Sequence, residues 1–120
     1  MSNTPKQYKV FVYGTLRNGS PATHELKGYD LHMFKGGNFP FPSVKKSGAS
    51  SRVLGNLMVV SKAELNALDV YEGVDAGLYK RQRVVVQELG IADSNISAFI
   101  YVGTDQIFPP IIESGDWLSR

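Results

Sequence analysis

Short apolar runs separated by glycine, proline and small polar residues dominate the chain. Residues 8–13 form a β-forming run that stops abruptly at Gly14 and predicts a first strand. Residues 21–27 read as a brief turn or helix, and residues 31–34 are apolar enough for a second strand. Residues 36–42, with Gly36, Gly37, Pro40 and Pro42, read as a turn and loop, because two prolines forbid a central strand. Phe39 and Phe41 in that segment look exposed, which suggests packing or ligand contact. The run 53–60 predicts another strand, with Gly55 marking a bulge or a point of close approach.

At residue 61 the period changes. Ser61-Lys62-Ala63-Glu64 has the form of a capping box, in which Ser61 accepts from the first helical turn and Glu64 reaches back to the Ser61 N–H. Leu65, Leu68 and Tyr71 then fall on one helical face, and Gly73 supplies the stop. The valine-rich run 79–89 predicts a long strand, residues 90–95 a turn, and residues 97–102 a strand able to pair back as a hairpin. Pro109-Pro110 opens an irregular tail in which Ile111, Ile112 and Trp117 can still pack on the core. About five strands and one clear helix, without regular alternation, exclude a doubly wound sheet. They predict a mixed α+β fold with a curled or barrel-like sheet.

The length of 120 residues sets the scale at one domain, residues 1–120, with a single core. A composition of 42% hydrophobic and 20% charged residues is that of an ordinary globular protein. The net charge of +2 is small, and neither Lys45-Lys46 nor Lys80-Arg81-Gln82-Arg83 is long enough to argue for a nucleic-acid partner. With no cysteine, a disulfide framework, thiolate catalysis and a cysteine zinc site are excluded together. The polar N-terminus lacks a signal-peptide core and no apolar run is long enough for a membrane span, so a cytoplasmic location without a membrane partner is the expectation. Nothing in the pattern fixes the oligomeric state, and a monomer is compatible with it.

Two positions carry candidate chemistry. A strand that ends at Gly14 presents bare backbone N–H groups at its tip, a natural seat for a carboxylate or an oxyanion. Glu72 stands at the C-terminal end of the predicted helix, where outward-pointing carbonyls disfavour an anion by about 0.3–1 kcal/mol. Burial beside Tyr71 would raise its pKa further. Two readings stand for it: a solvated glutamate tolerating a small penalty, or a carboxyl group poised to exchange a proton near neutral pH. His24 and His32 fit no common metal-binding spacing, no G-x-S-x-G elbow occurs, and no Lys-Ser/Thr completes a phosphate loop around Gly14, Gly19 or Gly36-Gly37.

Tyr13-Gly14-Thr15-Leu16-Arg17-x-Gly19, then Leu68-Asp69-x-Tyr71-Glu72-Gly73, then Tyr79-x-Arg81 and Val84-Val85-Val86, resemble the γ-glutamylcyclotransferase-like superfamily, above all its short γ-glutamylamine cyclotransferase members. Gly55, Tyr101 and Ser114-Gly115-Asp116-Trp117 fit the same pattern in order. The resemblance implies a small mixed β-barrel with flanking helices and a cavity at its mouth. It implies substrate binding by Tyr13, Gly14, Thr15 and Leu16, and an acid–base role for Glu72. The implied enzyme is a cyclotransferase, of acyltransferase or cyclising-lyase type. It would release 5-oxoproline from a small γ-glutamyl substrate with no metal and no cofactor. A non-catalytic module binding a small metabolite or a peptide end on the same fold is the alternative. Arg17 and Arg81 match motif positions and are expected as structural ion-pair partners.

Overall fold

The computed structural model describes residues 6–17, 19–36, 39–46, 51–91, 93–103, 111–112 and 114–119. Its strands are β1 (Gln7–Val12), β2 (His24–Lys27), β3 (Tyr29–Gly36), β4 (Phe39–Lys46), β5 (Arg52–Ser61), β6 (Tyr79–Glu88), β7 (Ile96–Gly103) and β8 (Ile111–Ile112). A helix, α1 (Lys62–Tyr71), follows β5, and single 3-10 turns occupy Thr15–Arg17 and Trp117–Ser119. Five strands form a barrel in the order β1-β5-β2-β6-β7, closed by a parallel pairing of β1 with β7 at Val10 and Phe99. A smaller sheet of order β4-β3-β8 lies outside that ring.

Two apolar clusters explain the uninterrupted run at the start of the chain. Phe11 and Tyr13 belong to a core shared with Leu26, Val53, Val84, Val86, Ala98, Ile100 and Trp117, which Leu31, Val44 and Ile112 of the smaller sheet extend. Val10 and Val12 face the other way and pack with Val60, Leu65 and Tyr101. Successive side chains of a strand point to opposite faces, so a strand buried on both faces is apolar throughout. In β6 only one face is covered: Val84 and Val86 are buried, whereas Val85 between them is exposed.

Gly55 permits a close approach. A Cβ there would fall on the Val12 carbonyl oxygen and against the Phe11 ring, so the barrel wall closes only over a residue without a side chain. The helix starts as expected. Ser61 Oγ accepts from the Glu64 N–H and Glu64 accepts from the Ser61 N–H, which holds the Glu64 carboxyl below its usual range.

Four expectations are corrected. Part of the segment 21–27 is the strand β2, laid between β5 and β6. Its four residues carry no alternation visible in the sequence, and pairing on both sides supplies what periodicity does not. The expected strand at 31–34 extends over all of β3. The loop expected at 36–42 is largely strand, because β4 pairs with β3 from Phe39 to Lys46. Its prolines are accommodated because, among the described strands, β4 lies at the edge of its sheet. Gly37 and Asn38, the side chains of Phe39 and Phe41, and Pro109-Pro110 lie outside the described residues. Finally, Leu65 is buried but Tyr71 is 69% exposed, so the packed face of α1 does not reach its last residue.

Candidate functional site

α1 packs against β1 through the cluster of Val10, Val12 and Leu65, and Leu16 after the strand and Leu68 near the end of the helix join it. Tyr13 continues β1 for one residue and is buried. Its hydroxyl donates to the Tyr101 carbonyl oxygen at 2.6 Å. The chain then turns: the Arg17 N–H donates to the Gly14 carbonyl at 3.0 Å and closes the 3-10 turn. Within such a turn the N–H groups of Thr15 and Leu16 have no internal acceptor, since the first donors of any helix lack one. Gly14 is buried, and the half-buried Leu16 packs on the cluster beneath α1. The Thr15 side chain lies outside the described residues.

Glu72 caps α1. Its N–H donates to the Leu68 carbonyl at 2.8 Å, and the chain reverses at Gly73 with a positive φ of 67°. The last carbonyls of the helix are occupied: Val74 donates to Asp69 at 3.0 Å and Gly73 to Val70 at 3.1 Å. Glu72 is half-buried, and removal from water pushes its carboxyl pKa above the ordinary carboxylate range. Tyr71, which points to solvent, is not the cause of that burial.

The charge of Glu72 acts on two phenols. Burial raises the Tyr13 hydroxyl well above its usual value, and the charges of Tyr79 and Glu72 raise it further. Tyr79 is pushed up to about 12, first by burial and then by Glu72. Both phenols therefore stay protonated at neutral pH, and the Tyr13 proton is the one given to the Tyr101 carbonyl. Tyr79 sits opposite Gly103 in the β6–β7 ladder. Gly103 donates to Ser43 Oγ at 3.0 Å, which brings β4 to the rim of the same region.

A polar chain behind the site fixes these elements. The Tyr101 hydroxyl donates to Asp69 Oδ1 at 2.6 Å, and Arg81 Nη1 donates to Asp69 Oδ2 at 2.7 Å. Burial and the Asp69 carboxylate both raise the Tyr101 pKa. Arg17 is buried and its Nη1 lies 2.6 Å from Asp116 Oδ1. Arg17 and Arg81 are thus both ion-paired with carboxylates of the protein, as their motif positions suggested.

The residues named from sequence come together only in part. Tyr13, Gly14 and Leu16 surround the tip, and Glu72 acts electrostatically on Tyr13. Tyr79, Asp69 and Tyr101 were not recognised as neighbours of the site. The signal lay in the hairpin register, which sets Tyr101 opposite Arg81, and in the alternation that puts Tyr79 and Arg81 on one face of β6. His24 and His32 stand elsewhere, in β2 and β3. Among the described residues, no three of His, Cys, Asp and Glu gather into a set able to hold a metal ion.

Comparison with known proteins gives consistent matches. The family model described as "Gamma-glutamyl cyclotransferase, AIG2-like" matches residues 10–119. Protein AIG2 C of Arabidopsis thaliana is 31% identical over 117 residues, covering 87% of this chain and 67% of that protein. Among solved structures, one named gamma-glutamyl cyclotransferase superposes with a TM-score of 0.71 at 22% identity, covering 88% of this chain and 72% of the other. The crystal structure of an AIG2-like protein from Mus musculus superposes with a TM-score of 0.66 at 23% identity, covering 89% and 86%. At such identities these structures establish the shared fold.

Proposed function

The chain belongs to the gamma-glutamyl cyclotransferase, AIG2-like family, and from that premise we propose that it is a cyclotransferase releasing 5-oxoproline from a small γ-glutamyl amine. One observation supports the reading. Glu72, at the end of α1, is a half-buried carboxyl group whose pKa is raised by burial and whose charge acts on the Tyr13 phenol after the first strand.

The roles follow from the chemistry. The turn at Gly14, Thr15 and Leu16 receives the amino-acid end of the glutamyl group through backbone N–H groups, with Tyr13 beside it. The Glu72 carboxylate takes one proton from the substrate α-ammonium. The freed amine attacks the γ-carbonyl, a five-membered lactam closes, and the C–N bond to the leaving amine breaks. Glu72 then returns the proton to that amine, and the second proton shed by the attacking nitrogen also passes to it, so the amine product leaves as an ammonium ion and the lactam nitrogen keeps one hydrogen. Ring closure is intramolecular, so the protein contributes chiefly by folding the substrate until amine and carbonyl meet. A raised pKa brings the acid and base forms of Glu72 closer in free energy, as a residue that takes and returns the same proton requires.

The test is to incubate the protein with a panel of γ-glutamyl amines and γ-glutamyl dipeptides and to measure 5-oxoproline. Glu72→Gln keeps the shape and removes the titrating group, so the rate falls by at least about a hundredfold. Equal rates in the two proteins would remove Glu72 from the mechanism. Substrate binding without product in the unmodified protein would favour the non-catalytic binding module.

A further inference from the structure

Arg17 is fully buried, yet it stands directly behind the turn that the proposed function assigns to the substrate. Each arm of its guanidinium group is bonded inside the protein. Nε donates to Asn56 Oδ1 at 2.9 Å in β5, Nη1 to Asp116 Oδ1 at 2.6 Å, and Nη2 to the Ser20 carbonyl at 2.8 Å. The backbone of the same residue closes both halves of the loop, since its N–H donates to Gly14 and its carbonyl accepts from Ser20, each at 3.0 Å. Asn56 passes the restraint on through Nδ2, which donates to the Pro21 carbonyl at 2.8 Å. Asp116 is held in turn, its Oδ1 also accepting from the Leu118 N–H at 3.0 Å. Gly115 beside it has a φ of 69°, and a Cβ there would fall on the Arg52 carbonyl, so the C-terminal segment has one seat on the barrel.

We propose that Arg17 is the positioning residue that holds the turn 14–17 as a rigid binding surface, and that Asp116 is the counter-ion it needs to do so. The last residues of the chain thereby control the binding turn at its beginning. This rests on the cyclotransferase reading for its consequence in substrate affinity, but not for its structural content. The guanidinium side chain has no solvent-exposed surface, so it acts through the turn and does not touch the substrate. Lysine cannot replace it, because a single ammonium group lacks the planar fork that reaches three acceptors in different directions. Asparagine at 116 keeps an oxygen for both Arg17 and the Leu118 N–H, whereas alanine leaves a buried guanidinium without its carboxylate.

The experiment compares the unmodified protein with Arg17→Lys, Asp116→Ala and Asp116→Asn. Two readouts are taken: residue-resolved amide hydrogen exchange, and steady-state turnover with γ-glutamyl-methylamide as substrate, from which kcat and KM are separated. In Arg17→Lys and Asp116→Ala, exchange at the amides of position 17 and Ser20, which are bonded within the turn, accelerates by about tenfold or more while Val86 and Ile100 in the barrel stay protected. The Michaelis constant rises by a similar factor of about ten, with kcat changing less, since Glu72 is untouched. Asp116→Asn keeps the acceptor oxygen but loses the charge, so it recovers only part of both effects. Unchanged exchange in the turn overturns the proposal, and so does exchange that rises equally throughout the barrel, because the pair would then serve only global stability. Failure of the unmodified protein to release 5-oxoproline would refute the cyclotransferase reading alone, and the exchange data would still decide the role of Arg17.

Discussion

The hydroxyl of Tyr101 donates to Asp69 Oδ1 at 2.6 Å, joining β7 to the last turn of α1, three residues before Glu72. A hydrogen bond to a charged group contributes about 1.5–3 kcal/mol when well formed. Asp69 keeps Arg81 when the hydroxyl is removed. Tyr101→Phe is therefore expected to lose about 1–2 kcal/mol in urea unfolding, near the lower end of that range. It leaves the Tyr13 bond intact, because that bond uses the Tyr101 carbonyl. Activity should fall by more than the unfolded fraction accounts for, since the end of α1 that carries Glu72 loses an anchor.

The raised pKa of Glu72 sets two opposite pH dependences. In the proposed mechanism the carboxylate form accepts the substrate proton, so the rate is expected to rise with pH through the Glu72 pKa, with the rising limb above the 4.5 of an ordinary glutamate. Stability moves the other way. The folded protein holds the proton more tightly than the unfolded chain does. The contribution of Glu72 is thus fully present below its unfolded pKa and is lost as pH rises through the folded value. Glu72→Gln should therefore be more stable than the unmodified protein at neutral pH, with the advantage shrinking as pH falls toward 4.5. Thermal unfolding of both proteins across that window checks the sign.

Gly55 is a site where one methyl group is felt. Its Cβ would meet the Val12 carbonyl and the Phe11 ring, two parts of the strand that leads into the turn at Gly14. Overpacking of this kind costs about 1–3 kcal/mol, and more where backbone must shift. Gly55→Ala should lower the urea midpoint accordingly and disturb the Tyr13 and Gly14 amide resonances. Gly77→Ala has open space at its Cβ and makes a suitable control, because its cost arises only from a positive φ of 77°.

Leu65 fastens α1 to the barrel. It is 1% exposed and packs with Val10, Val12, Val60 and Tyr101. Leu65→Ala is expected to cost about 2–5 kcal/mol, the range for deleting a buried leucine. The loss falls on the contact that carries Glu72 toward Tyr13. Residual activity in the folded fraction should therefore be lower than in a barrel-core variant of equal stability such as Val86→Ala.

Local signals in the sequence determined a good part of this protein. The capping box at Ser61 and Glu64, the glycine stop at 73, the valine-rich hairpin and the close approach at Gly55 are each set by residues near in the chain, and each stands in the structure as expected. The ordered motifs around Gly14 and Glu72 were enough to indicate the family. The tertiary structure alone decided the rest. β2 is a strand because β5 and β6 flank it, and β4 carries two prolines because it lies at an edge. The burial of Glu72, the reach of its charge to Tyr13 and Tyr79, and the pairing of Arg17 with Asp116 depend on contacts between distant parts of the chain. Propensity and periodicity act over a few residues, whereas desolvation and charge pairing depend on which segments the closed barrel brings together.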